Sequence, residues 1–171
     1  MKKYELTAEF IEQWGKKLFR IKALISFGSV EAGELGGYVE KEDNLAQDGD
    51  AWVCDNAWVC DNVMVYGNAR VYGNARVCDN ARVCDNADYL LIGRIGSRFS
   101  FTTFFKNKDK GITVSCGCFL GTIAEFRAKV SDTHGNNKHA KIYNLAADMA
   151  ELQILGEEHF ENLNTNKSEP F

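Results

Sequence analysis

Between Glu42 and Tyr89 the chain repeats every six residues, as EDNLAQ, DGDAWV, CDNAWV, CDNVMV, YGNARV, YGNARV, CDNARV and CDNADY. The eight units run without an insertion, and a short fixed period of this kind points to a β-helix. Each unit can be read physically. A strand turns successive side chains to opposite faces, so the Val and the Ala of one unit share a side, and the residue between them takes the other. Val53, Val59, Val65, Val71, Val77 and Val83 therefore fill a narrow interior with Ala51, Ala57, Ala69, Ala75, Ala81 and Ala87. Asn56, Asn62, Asn68, Asn74, Asn80 and Asn86 fall where a corner needs a residue that tolerates a left-handed backbone.

The pattern is similar to that of left-handed β-helix proteins with hexapeptide repeats, in which three hexapeptides make one coil. It resembles most closely the bacterial and phage proteins rich in VYGNAR-type strings. The stretch from Phe27 through Gly28, Gly33, Gly36 and Gly37 to Val39 resembles the segment that leads into such repeats. The resemblance covers about residues 27–89. It implies a short left-handed parallel β-helix of about 2.7 coils, in a chain that is mainly β with a small α+β module. On that basis residues 1–41 cap the helix with strands, residues 42–89 form it, residues 90–156 form the module and cap, and 157–171 are an acidic tail. Lys17 to Ile25 reads as a strand that covers the first coil.

With 18 residues per coil, Trp52 stacks on Arg70, Trp58 on Arg76 and Met64 on Arg82. Trp52, Trp58 and Met64 then form an outward apolar face, with Arg70 and Arg76 beside them. Such patches mark interfaces, and members of the resembled family trimerise, so a homo-oligomer is expected, with a trimer favoured. Burial of the tryptophans under the chain's own caps is the alternative. Cys60 and Cys78 stack one coil apart, at about 4.8 Å, and read as an outward thiol ladder within disulfide range.

Composition limits the remaining classes. Hydrophobic residues make up 45% and charged residues 26%, as in ordinary globular chains. No apolar run approaches the ~18 residues of a membrane span, and the charged N-terminus does not read as a signal peptide. A cytoplasmic protein of a bacterial host cell, with reduced thiols, is the expectation. Many hexapeptide β-helix proteins are acyltransferases with a histidine general base. Here the three histidines, His134, His139 and His159, all lie outside the repeats. No catalytic residue and no cofactor is therefore assigned.

After Tyr89 the period changes. Tyr89–Ile92, Phe99–Phe105 and Ile112–Phe119 read as strands, with a hairpin turn over residues 107–111. Thr122 and Glu125 make a capping box for a helix with Ile123, Phe126 and Val130 on its apolar stripe. Asn137 is an N-cap for a second helix, whose core face is expected at Ile142, Leu145, Met149 and Leu152. The module resembles one that follows such repeats in phage and prophage proteins, on Gly96-Ser97-Arg98, Thr102-Thr103-Phe104, Ser115-Cys116-Gly117-Cys118 and Thr133-His134-Gly135. That resemblance implies a viral or prophage origin and no particular activity.

The module is also where positive charge gathers. Residues 89–155 carry nine Lys+Arg against five Asp+Glu, whereas residues 1–88 carry ten against fifteen. Arg94, Ser97, Arg98, Thr103, Ser115, His134, Lys138 and His139 are the candidate ligand-binding residues, because arginine and free helix-start amides both suit phosphate. Cys116, Cys118, His134 and His139 could together suggest zinc. Cys-x-Cys is not the usual ligand spacing, however, and both thiols share the face of Ile112 and Val114, so no metal is assigned. The sequence thus favours a non-enzymatic phage-type scaffold that presents basic modules to a small anionic, nucleotide-type ligand, with a role in counter-defence. A scaffold that binds a host protein is the alternative. An acyltransferase is less favoured, and a modest local charge makes nucleic acid unlikely as a partner.

Overall fold

The computed structural model describes residues 1–159, and most of the expected acidic tail lies outside the described residues. The chain divides into two compact units, Met1–Asn86 and Ala87 onward. The fold is mainly β with a smaller helical part.

In the first unit, β1 (Tyr4–Gln13), β2 (Lys16–Ala23) and β3 (Leu35–Val39) form an antiparallel sheet. Six two-residue strands follow: β4 (Trp52–Val53), β5 (Trp58–Val59), β6 (Met64–Val65), β7 (Arg70–Val71), β8 (Arg76–Val77) and β9 (Arg82–Val83). They pair in parallel, β4 with β7, β5 with β8 and β6 with β9. Trp52 lies opposite Arg70, Trp58 opposite Arg76 and Met64 opposite Arg82, so the chain returns to the same ladder every 18 residues. β3 joins β5 in parallel, which welds the N-terminal hairpin onto one of the three ladders. At this junction Gly36 and Gly37 meet the first coil closely. A Cβ on Gly37 would lie 2.4 Å from the Ala57 carbonyl oxygen.

The interior of the repeats is the Val/Ala set. Val53, Val59, Val65, Val71, Val77 and Val83 are fully buried, as are Ala51, Ala57, Ala69, Ala75 and Ala81. Ala87 is not part of it: it is exposed in the short 3-10 turn Asn86–Asp88 that ends the repeats. The corners also differ from expectation by one position. The left-handed backbone is taken by Asp55, Asp61, Gly67, Gly73 and Asp79, each immediately before the Asn. Two of their carbonyls accept from an Asn that lies 17 residues earlier, Gly73 O from Asn56 N–H and Asp79 O from Asn62 N–H. Glycine and Asx residues take a positive φ with least strain, which suits them to these corners.

The expected apolar outer face is absent at both tryptophans, because the chain covers them itself. Trp52 is fully buried against Tyr4 and Phe27, with ring centroids 6.2 and 5.4 Å away. Trp58 is 6% exposed, with the Trp14 ring edge to face at 5.0 Å and the Arg76 guanidinium 5.7 Å from its ring centroid. Met64 alone of the three stays exposed. Arg70 turns to Ser29 Oγ, at 2.7 Å, and lies over Tyr72.

Lys3 seals the start of the repeats. Its ammonium, on a residue 2% exposed, donates to the carbonyls of Asp48, Gly49 and Ala51 and lies 4.8 Å from the Phe27 ring centroid. Burial pushes its pKa below the ordinary lysine value.

The second unit is an antiparallel sheet of β10 (Tyr89–Ile95), β11 (Ser100–Lys106), β12 (Ile112–Cys116) and β13 (Phe119–Thr122), in sequence order. Two helices, α1 (Ile123–His134) and α2 (Lys138–Leu155), pack on the face that carries Phe104, Ile112 and Val114. The Thr122/Glu125 capping box and the Asn137 cap form as the sequence indicates. The Ile112–Phe119 strand does not run through. Gly117 takes φ +61° and reverses the chain, so Cys118 is exposed in a turn rather than buried with Ile112. The core face of α2 is also not the expected one. Ala140, Tyr143, Ala146, Ala147, Ala150 and Ile154 are buried, while Leu145, Met149 and Leu152 are exposed. Four alanines let α2 approach the sheet closely, and Tyr143 and Ile154 supply the bulk.

Candidate functional site

In the second unit, two chain reversals lie at one end of the sheet. The β10–β11 turn brings Ser97, Arg98 and Ser100, and the β12–β13 turn brings Cys116 to Phe119. α1 faces them with Phe126, Lys129, Val130, Thr133 and His134, at the spacing of a single helix face. Tyr143 of α2 closes the back. The result is a cleft of about 210 Å³.

Its wall is aromatic. Phe126 meets Phe119 at 5.6 Å and Tyr143 at 5.6 Å, the latter edge to face. His134 stacks on Tyr143 at 5.8 Å with an interplanar angle of 28°. Gly96 holds Tyr143 in place by having no side chain: a Cβ there would lie 1.9 Å from the phenol oxygen. Burial and the neighbouring Cys116 push the Tyr143 hydroxyl up to about 12, while Arg98 pulls it down. The phenol is therefore neutral and a hydrogen-bond donor near pH 7. The rim is polar and cationic, with Arg98, Lys129, Ser97 and Thr133 exposed and His134 half-buried.

Of the expected ligand residues, the cleft thus unites Ser97, Arg98 and His134. His139 lies beside it, 5.8 Å from His134 between ring centroids, with its Nδ1 buried and unbonded. Arg94 is exposed on β10 and Lys138 is exposed on the first turn of α2, and neither lines the cleft. Thr103 and Ser115 are buried on the sheet face opposite Phe104 and Val114. Ser115 therefore does not present its hydroxyl to a ligand from solvent. The helix-start amides are not free either, because the Asn137 side chain accepts from His139 N–H and Ala140 N–H. Positive charge in the cleft comes from side chains alone. Lys129 and Thr133 were missed at the sequence level, although both continue the stripe set by Phe126 and Val130.

A second polar cluster sits in the first unit. Cys60 and Cys78 are both fully buried, which corrects the reading of an outward thiol ladder. The Cys60 thiol donates to Asp61 Oδ2 at 3.2 Å. Asp61 also accepts from Lys16 Nζ and from Asp79 N–H, and its own N–H donates to Glu40 at 2.6 Å. The hydrogen bond shared with Cys78, together with burial, holds the Cys60 thiol protonated, well above the ordinary range. Burial opposes ionisation of Asp61, yet the bonds from Lys16, Asp79 and Cys60 outweigh it and hold its carboxyl below the usual value. Among the described residues, Cys60, Asp61 and Cys78 are also the one group of three or more metal-type ligands within 4.8 Å of one another. Cys116, Cys118, His134 and His139 do not form such a group.

Compared with models of known protein families and with curated protein sequences, the chain matches none. No helix among the described residues is long and apolar enough to cross a membrane.

Proposed function

We propose that the second unit binds a small anionic ligand that also carries a ring, and does so without turning it over. The observation behind this reading is the cleft itself: Arg98, Lys129 and His134 share a rim with Ser97 and Thr133 above a wall of Phe119, Phe126 and Tyr143. A phosphate suits the cations, with Arg98 as its forked partner, and a planar ring suits the aromatic wall. At about 210 Å³ the cleft is smaller than the roughly 300–1,000 Å³ of most small-molecule sites. A nucleotide would therefore seat one phosphate and one ring and leave the remainder outside.

Binding rather than catalysis is favoured by the chemistry of the lining. A nucleophile needs an adjacent base, and Cys116 is contacted instead by Thr102 Oγ1 and the neutral Tyr143 phenol. In the same reading the parallel ladders are a left-handed β-helix of hexapeptide coils in a phage- or prophage-type protein. Such a protein, in the host cytoplasm, would withhold a nucleotide-type signal from host defence. The 18-residue register and the Val/Ala interior support the coil.

The test is titration calorimetry against mononucleotides, cyclic dinucleotides and ADP-ribose-type compounds. Binding tighter than millimolar is expected. Arg98→Glu should weaken it by about 2 kcal/mol, roughly thirtyfold, with the melting temperature unchanged. If no compound binds, or if Arg98→Glu binds like the parent, the host-protein scaffold replaces this reading.

A further inference from the structure

The face of α2 that turns away from the core is not polar. Leu145, Met149 and Leu152 are 65%, 55% and 44% exposed. Their spacing of four and three residues sets them in one line along the helix. Lys138 and Lys141, both exposed, continue the line toward the N-terminus. Past the C-terminal cap at Gly156 stand two exposed acids, Glu157 and Glu158. Along the chain the order is thus basic, apolar and acidic.

That order is self-complementary when the helix is reversed against itself. We infer that α2 is a docking surface for a second copy of this chain, packed antiparallel about a two-fold axis near residues 148 and 149. Leu145 of one copy then meets Leu152 of the other, with Met149 at the centre. Lys138 and Lys141 of each copy approach Glu157 and Glu158 of the other. An antiparallel pair also opposes the two helix dipoles favourably. A two-fold interface must be the same patch on both partners, and a patch whose charges are opposite at its two ends meets that condition only in the antiparallel sense. Three apolar side chains make a small centre against the about 800 Å² per partner of a standard interface. A weak, concentration-dependent dimer is therefore the expected association. The surface is independent of the cleft, whose lining includes none of these residues.

Sedimentation equilibrium of the full chain, from micromolar to sub-millimolar concentration, reads the association directly. A concentration-dependent dimer is expected. Leu145→Glu with Met149→Glu should give a monomer with unchanged circular dichroism and melting temperature. The decisive arm uses charge. K138E/K141E and E157K/E158K should each weaken self-association about tenfold, and an equimolar mixture of the two should dimerise at least as well as the parent. A parent chain that stays monomeric throughout overturns the proposal. So does a mixture of the two charge variants that associates no better than either alone. A parent monomer that dimerises only after removal of residues 160–171 overturns it too, and shows the stripe covered by the chain's own C-terminal segment.

Discussion

Single side chains act here mainly through where their polar atoms end up. Lys3 is the clearest example, since its ammonium satisfies three carbonyls at the start of the repeats. Lys3→Met keeps the stem and removes the donors, leaving the carbonyls unpaired. It should cost about 1–3 kcal/mol, read as a lower urea midpoint with unchanged slope. The Lys16–Asp61 pair gives a second expectation, in pH. Asp61 has its carboxyl held below the ordinary 3.8, so its stabilisation is present above that value and is lost as pH falls through the folded value. Lys16, whose pKa its hydrogen bond to Asp61 raises above 10.5, loses its contribution only as pH rises beyond that. Asp61→Asn should therefore flatten the acid limb of stability below about pH 4 and leave the region near neutrality almost level. An acid limb as steep as the parent's in thermal melts would remove Asp61 as its source.

At the scale of elements, the repeats depend on two kinds of position. Interior alanines set the width of the coil, so Ala75→Leu should overpack it, at a cost of about 1–3 kcal/mol. Corner positions with positive φ set its turns. Gly67 has φ +64°, and a Cβ there would lie 2.8 Å from the Cys84 carbonyl oxygen. Gly67→Ala should thus destabilise by about 1–2 kcal/mol more than Asn68→Ala, its neighbour without that constraint. Equal losses would return the left-handed position to the Asn. In the second unit, α2 shows why a stripe of large apolar residues is a weak guide to the buried face. Alanine allows close helix approach, so a face of Ala140, Ala146, Ala147 and Ala150 can be the inner one.

Across the whole molecule, the six cysteines report on both units at once. Cys84 and Cys118 are exposed, Cys54 and Cys116 are half-buried, and Cys60 and Cys78 are fully buried. Since reaction needs an accessible thiolate, a thiol-labelling time course followed by mass spectrometry should modify Cys84 and Cys118 first. Cys60 and Cys78 should react only on unfolding. Fast labelling of Cys78 in the folded chain would contradict its burial.

The repeat by itself determined the interior valines and all the interior alanines but Ala87, because alternation along a short strand turns one face inward. The 18-residue register and the partners across each ladder followed from the resemblance to hexapeptide-repeat proteins, and the strands pair in that register. Local chemistry likewise determined both helix starts, since Thr122 with Glu125 and Asn137 satisfy amides only residues away. What tertiary structure alone decided is what covers an element from a distance. Trp52 and Trp58 sit at outward positions of the repeat, yet Tyr4, Phe27 and Trp14 bury them, and nothing within the repeat announces those partners. The candidate site was legible in Ser97, Arg98 and His134. Its wall of Phe119, Phe126 and Tyr143 was not, because three separate elements meet there only once the chain has reversed at Gly96 and Gly117.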